Sequence, residues 1–245
     1  LTGRGHQKGS ANPGAPWDWD IYIVQDLGMG VSSWTYGNGP LGNDRGSDVA
    51  LTSDGGSIST GFTDSWGAGG KDAFLMKLDT SGNVQWMKVF GGLLDDEGNF
   101  VEQTSDGNYV FGGTTSNYGH GNKDFFLCKV DSLGSVIWTF AYGDTGDDIM
   151  FSGEIGDIDK FMLIGTSSVN AKDIYSVCAN LNGRTNGCEM EFSFSVISVT
   201  PTKTAWGTSG KHLNSLTPYY TSVVRTGTDT ITCIAVNILG CTDST

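Results

Sequence analysis

A motif of sixteen letters governs this chain. Residues 71–86 read KDAFLMKLDTSGNVQW and residues 123–138 read KDFFLCKVDSLGSVIW, so each position of the second stands 52 after its counterpart, from Lys71 and Lys123 to Trp86 and Trp138. A weaker copy lies earlier, at residues 20–34, where Asp20, Gly30 and Trp34 keep the same offset. A fourth copy starts at Lys172 with KDIYSVCANLNG, and a fifth, fainter, at Asp229 with DTITCIAVNILG. A period of about fifty residues is the signature of an array of supersecondary units, each unable to bury its own apolar faces alone.

Each unit reads as short β runs divided by turns. The first complete unit places runs at 48–52, 57–63, 72–78 and 83–89, and the second at 100–104, 108–113, 124–130 and 135–141. Asp54-Gly55 and Asp106-Gly107 are hairpin signals that predict a two-residue turn with positive φ at both centres. Gly82 and Gly134 close a second turn in each unit. A third unit, with runs at 149–152, 160–164, 173–179 and 189–196, is degraded, and its third run opens only 49 positions after that of the second. In the last stretch, runs appear at 219–225 and 230–236. No segment has helical periodicity, and no apolar run reaches the ~20 residues of a membrane helix.

The third run of each unit decides the architecture. Residues 73–78, AFLMKL, and 125–130, FFLCKV, are largely apolar on both alternating faces. A strand of that kind must be covered on both sides, and hairpin connections leave only other sheets to cover it. The expected fold is therefore all-β: a β-propeller-like array of four to five four-stranded antiparallel blades, with room for a small C-terminal β-sandwich-like unit. Residues 1–16 read as an extended N-terminal arm, 17–196 as the propeller-like repeats, and 197–245 as a divergent last blade or small β domain. Trp34, Trp86 and Trp138 are expected to wedge adjacent blades.

The unit W-x-x-x-[FY]-G…DG[GN]…G-x-T…KD-[AF]-F-L-x-K-[LV]-D-x-x-G-x-x-x-W resembles the secreted bacterial β-propeller repeats of the SBBP or delta-60 type, over about residues 17–183. The ending at 237–244, NILGCTDS, resembles the NGCTDS endings of adhesin-like β repeats. These resemblances imply export, an extracellular or cell-surface location and a non-catalytic role.

Charge and cysteine content narrow the function further. A formal net charge of -13 disfavours nucleic acid and anionic membrane as partners. Four of the five cysteines form two close pairs, Cys178 with Cys188 and Cys233 with Cys241, each across a turn; two hairpin disulfides in an oxidising compartment are expected. Cys128 takes the place of Met76 and is expected in the core.

No catalytic constellation is legible. His6, His120 and His212 share no spacing, and neither a GxSxG elbow nor a phosphate-binding glycine loop is present. No catalytic, cofactor or metal residues are assigned, and an enzyme is not expected. The in-register loop acids Asp44, Asp96 and Asp148, reinforced by Asp95 and Asp147, are the one cluster of interest: they suit calcium or the capping of turns. Trp66, Asn117, Tyr118, His120 and Trp206 are the side chains that would bind a sugar. The runs count two, four, four, four and about three, and both chain ends carry a copy of the third run, one more than a closed four-blade ring needs. The expected function is a structural or interaction subunit of an extracellular assembly, self-associating into an oligomer or filament through terminal strands. The alternative is a carbohydrate-binding lectin or adhesin module.

Overall fold

The structure is a computed structural model describing residues 20–26, 31–37, 42–156, 160–168, 173–185, 187 and 189–206. The arm at 1–16, His6, the runs at 219–225 and 230–236, His212, Cys188, Cys233 and Cys241 lie outside the described residues. Every regular element described is a strand, and no helix among them is long and apolar enough to cross a membrane.

Four antiparallel sheets follow one another along the chain. The first pairs β1 (Ile21–Asp26) with β2 (Val31–Gly37). The second is the meander β3 (Asp44–Leu51), β4 (Ser57–Thr63), β5 (Asp72–Leu78), β6 (Val84–Gly91). The third repeats it as β7 (Asp96–Gln103), β8 (Tyr109–Thr115), β9 (Asp124–Val130), β10 (Val136–Tyr142). The fourth has β11 (Ile149–Gly156), β12 (Lys160–Ser167) and β13 (Asp173–Asn180). The matching strands keep the sequence period, down to the irregularity in register at Gly46/Asp48, Gly98/Phe100 and Met150/Ser152.

The chain departs from the expected blade after Asn180. Residues 189–196 do not supply a fourth strand to the fourth sheet. Instead the chain turns back along the stack as three short strands. β14 (Glu189–Glu191) pairs with β10, β15 (Ser195–Val199) with β6, and β16 (Thr202–Trp206) with β2. This return strap covers the last strand of the third, second and first sheets in turn, so among the described residues the sheets hold three or five strands rather than four, and they do not close on themselves. Of the stretch 197–245, residues 197–199 and 202–206 lie in strands that pair with the second and first sheets, and residues 207–245 lie outside the described residues. Phe194, between β14 and β15, is buried between the second and third sheets, edge-on to Phe126 at 5.1 Å and to Phe90 at 6.1 Å.

The turns show why these sequences fold as they do. Gly55 N donates to Thr52 O (2.8 Å) and Thr52 N to Gly56 O (3.0 Å), with φ +81° at Gly55. This is a three-residue loop in which a first turn is followed by a left-handed glycine, rather than the two-residue turn expected from Asp-Gly. Gly82, φ +69°, closes the same loop after β5. There Asp79 Oδ1 accepts from Ser81 N and Asn83 N, both at 2.8 Å, fixing the loop before the strands pair.

Packing follows from the two-faced strands. On β5, Ala73 and Leu75 enter the apolar layer shared with the third sheet, while Phe74, Met76 and Leu78 enter the layer shared with the first. On β9, Phe126, Cys128 and Val130 face the second sheet, and Phe125 and Leu127 face the fourth. Cys128 is a free, fully buried thiol, as its place in the repeat predicts. At ~25 cal/mol per Å2, covering both faces of such strands is the main stabilising term of the stack.

At each junction one aromatic of the last strand donates to a turn of the next sheet. Tyr36 Oη bonds Gly82 O (2.7 Å), Trp86 Nε1 bonds Ser132 O (3.1 Å) and Tyr142 Oη bonds Gly183 O (2.6 Å). Trp86 and Trp138 pack partly buried against the inter-sheet layers, as expected of them. The side chain of Trp34 lies outside the described residues.

Candidate functional site

Burying a carboxylate without a counter-charge is costly, so the positions of buried acids mark where the fold departs from what packing alone selects. Asp44, Asp72, Asp96, Asp124 and Asp148 are all at most 1% exposed. They form pairs one period apart. Asp96 N donates to Lys71 O and Asp148 N to Lys123 O, both at 2.7 Å. Each bond joins the start of one sheet's third strand to the first strand of the next sheet. It thereby sets Asp72 beside Asp96 and Asp124 beside Asp148, and Asp20 raises Asp44 in the same relation.

Backbone N–H groups, hydroxyls and one side-chain amide donate to these carboxylates. Asp72 Oδ2 accepts from Ala68 N (3.1 Å) and Asp124 Oδ2 from Gly121 N (3.0 Å). Asp96 Oδ2 accepts from Gly92 N (3.0 Å) and Asn117 Nδ2 (2.7 Å), and Asp148 Oδ2 from Asp144 N (2.8 Å). Asp44 accepts from the hydroxyls of Thr63 and Ser65. The other oxygen of Asp72 and of Asp124, Oδ1, is buried with no hydrogen-bond partner. Both press on glycines: a Cβ on Gly91 would collide with Asp72 Oδ1, and one on Gly143 with Asp124 Oδ1 and Asp148 Oδ2.

Burial drives the protonation of these groups. It pushes Asp44 and Asp72 up to about 6 and Asp96 up to about 7, with Asp20 and Asp64 adding to Asp44, Asp95 to Asp72, and Asp72 to Asp96. Asp124 and Asp148 are raised by burial first and then by other carboxylates, including Asp148 acting on Asp124. His120 acts the other way on Asp124, lowering it.

The sequence singled out Asp44, Asp96 and Asp148, and the fold brings all three to sheet junctions. Their reinforcing neighbours differ: Asp95 is exposed and accepts from Lys71 N (3.0 Å), while Asp147 is half-buried. Asp72 and Asp124, their partners across the junctions, were legible only as strand openers; the signal was the Lys-Asp shared by the copies at 71–72, 123–124 and 172–173. Among the described residues no group of three or more His, Cys, Asp and Glu side chains gathers in metal-binding geometry.

The side chains read as sugar contacts have other work. Tyr118 stacks on Phe192 (4.2 Å between centroids) and packs on the core, Trp66 packs against the layer between the first and second sheets, and Asn117 Oδ1 accepts from Leu93 N (2.9 Å) and Leu94 N (3.0 Å). His120 is exposed, and the side chain of Trp206 lies outside the described residues. Where the strap leaves β10, a cavity of about 410 Å3 is lined by Lys88, Val136, Trp138, Thr139, Phe192 and Phe194, among others. Comparison with known protein families finds no match, and comparison with curated proteins finds none either.

Proposed function

We propose that this chain is a non-catalytic structural module that adds to a neighbouring molecule through the open end of its sheet stack, as a subunit of an extracellular assembly. The observation that carries this reading is the fourth sheet. It has three strands where its predecessors have four of their own plus a strand of the strap, or a strap strand on their last one, and among the described residues nothing pairs with the outer edge of β13. Its outward face carries Ile174, 83% exposed, with Phe151 and Ile164 also exposed. In the second and third sheets the matching face is buried under the next sheet. An uncovered edge and face of this kind are what strand addition uses, and a head-to-tail contact that does not close gives a filament.

In this reading the sheets are blades of propeller type in an open array, related to the secreted bacterial repeats that the motif resembles. Export agrees with the spacing of the cysteines, for which the pairings Cys178–Cys188 and Cys233–Cys241 are the proposed ones. The lectin alternative has less behind it, because Tyr118, Trp66 and Asn117 are engaged within the fold.

Sedimentation velocity over a concentration series tests the proposal. The chain should self-associate as concentration rises, and Ile174→Arg, which sets a charge on the open face, should leave it monomeric while its melting temperature stays the same. A wild-type chain that remains monomeric throughout would overturn the reading.

A further inference from the structure

We infer that the buried carboxylate pairs Asp72–Asp96 and Asp124–Asp148 are binding sites for a hard divalent cation of the calcium class, one at each of two successive sheet junctions.

Three independent features carry this inference. The first is placement. The Asp96 N–Lys71 O and Asp148 N–Lys123 O bonds repeat with the same 2.7 Å length, so the pairs are built by the backbone and recur with the motif. The second is the orphaned oxygen. Asp72 Oδ1 and Asp124 Oδ1 belong to side chains 1% exposed and have no donor, although Oδ2 of each is held by backbone N–H groups. A buried acceptor with no donor is rare and asks for a ligand that supplies positive charge. At the second junction this oxygen converges with Asp148 Oδ2 on Gly143, where only the absence of a side chain leaves room.

The third feature is the local charge. At the first junction Lys71 Nζ bonds Glu97 Oε1 (2.6 Å), and at the second the exposed His120 is the only cationic group among the chief influences on Asp124. Further acids surround the pairs instead, Asp95 beside Asp72, and Asp144 and Asp147 beside Asp148. An all-oxygen, doubly negative setting without thiol or imidazole ligands suits Ca2+ over the softer transition metals. Two carboxylates fall short of a full calcium shell, so loop carbonyls, hydroxyls and water would complete it. A cation there would tie the loop at Gly67–Gly70 and the start of β7 into one unit, locking neighbouring sheets together.

The test uses the whole chain, stripped with chelator and then dialysed against Ca2+ or Mg2+. Bound metal is measured by mass spectrometry and unfolding by calorimetry. Ca2+ should be retained and should raise the melting temperature well above that in chelator. The double variant Asp72→Asn/Asp124→Asn should lose both the retained Ca2+ and the shift, while Asp54→Asn, whose carboxylate sits at the surface, keeps them. Wild-type chain that retains no Ca2+ and melts identically in chelator and in Ca2+ would overturn the inference. So would a double variant that melts higher than wild type under both conditions, because that result means each pair is a proton-sharing strain and not a site. Should the double variant fail to fold, metal retention by the wild type decides alone. Self-association of the chain is measured separately and does not bear on this outcome.

Discussion

The second and fourth sheets are copies of one unit in different surroundings. In the second, every residue of β5 is buried, because the first sheet lies on one face and the third on the other. In the fourth, β13 buries Val177 and Ala179 toward the third sheet, while Ile174, Ser176 and Asn180 on the opposite face are exposed. The sequence tracks this difference: Leu75 in β5 has a partner sheet, and its counterpart on the open face of β13 is Ser176. Burial in this array is thus set by a strand's neighbours, and the edge between order and exposure falls where the fourth sheet runs out of them. The strap makes the same point for strand edges, since β2, β6 and β10 each have a returning strand and β13 has none among the described residues.

The largest effect is expected at Phe126, which is fully buried and meets Phe111 and Phe194. Phe126→Ala should cost about 3–5 kcal/mol in a denaturant melt, since the layer around it cannot collapse to fill the space. A loss near zero would mean the inter-sheet layer is not the source of stability.

A smaller effect is expected at the repeated ion pairs. Lys77 Nζ, its side chain 3% exposed, bonds Asp54 Oδ2 (2.8 Å), and Lys129 pairs with Asp106 (2.6 Å) in the same relation. Asp54→Ala strands a buried ammonium and should cost about 1–2 kcal/mol at pH 7, less than a fully buried pair because Asp54 itself is half-exposed. The Lys77 hydrogen bond holds the Asp54 carboxyl well below the usual range. Its contribution is therefore present above the unfolded value of about 4 and is lost as pH falls toward the lower folded one, so the penalty should shrink in acid melts.

Glu102 lies at the boundary with the fourth sheet. Its Oε1 accepts from Ile155 N (3.3 Å), and burial, then Glu154 and Asp48, push its carboxyl up to about 7. The favourable contribution of the neutral form is full below the unfolded value and is lost as pH rises through about 7. Glu102→Gln keeps the acceptor without the charge. It should be near neutral at pH 5 and stabilising by about 1 kcal/mol at pH 8, after allowance for partial exposure. A variant less stable at pH 8 would show that the ionised form is favoured there.

The smallest effect belongs to the open face. Ile174→Ala should change monomer stability by no more than about 0.5 kcal/mol, because the side chain is already in water. A cost comparable to that at Phe126 would mean this face is covered.

Much of this fold was legible in the chain. The two-faced apolar runs at 73–78 and 125–130 demanded sheets on both sides, and the turn residues at Asp79–Gly82 placed the hairpins. The strap was not legible. Its strands are three to five residues long, too short for any period, and their partners lie far back in the sequence, so 189–196 passed for the missing fourth run. The acids divide the same way. Asp44, Asp96 and Asp148 announced themselves by register, but Asp72 and Asp124 were only the first residues of the third runs. Their burial depends on the loop at Gly67–Gly70 folding back over Asp72 and on a backbone bond to the next unit, which no local pattern encodes.

If each sheet is stabilised by the sheets beside it, native-state amide hydrogen exchange resolved by strand will show it. The amides of β5 and β9 should exchange slowest, near the rate set by global unfolding, and those on the outer edge of β13 much faster. Protection of β13 equal to that of β9, or β5 and β9 exchanging as fast as the surface loops, would contradict the account.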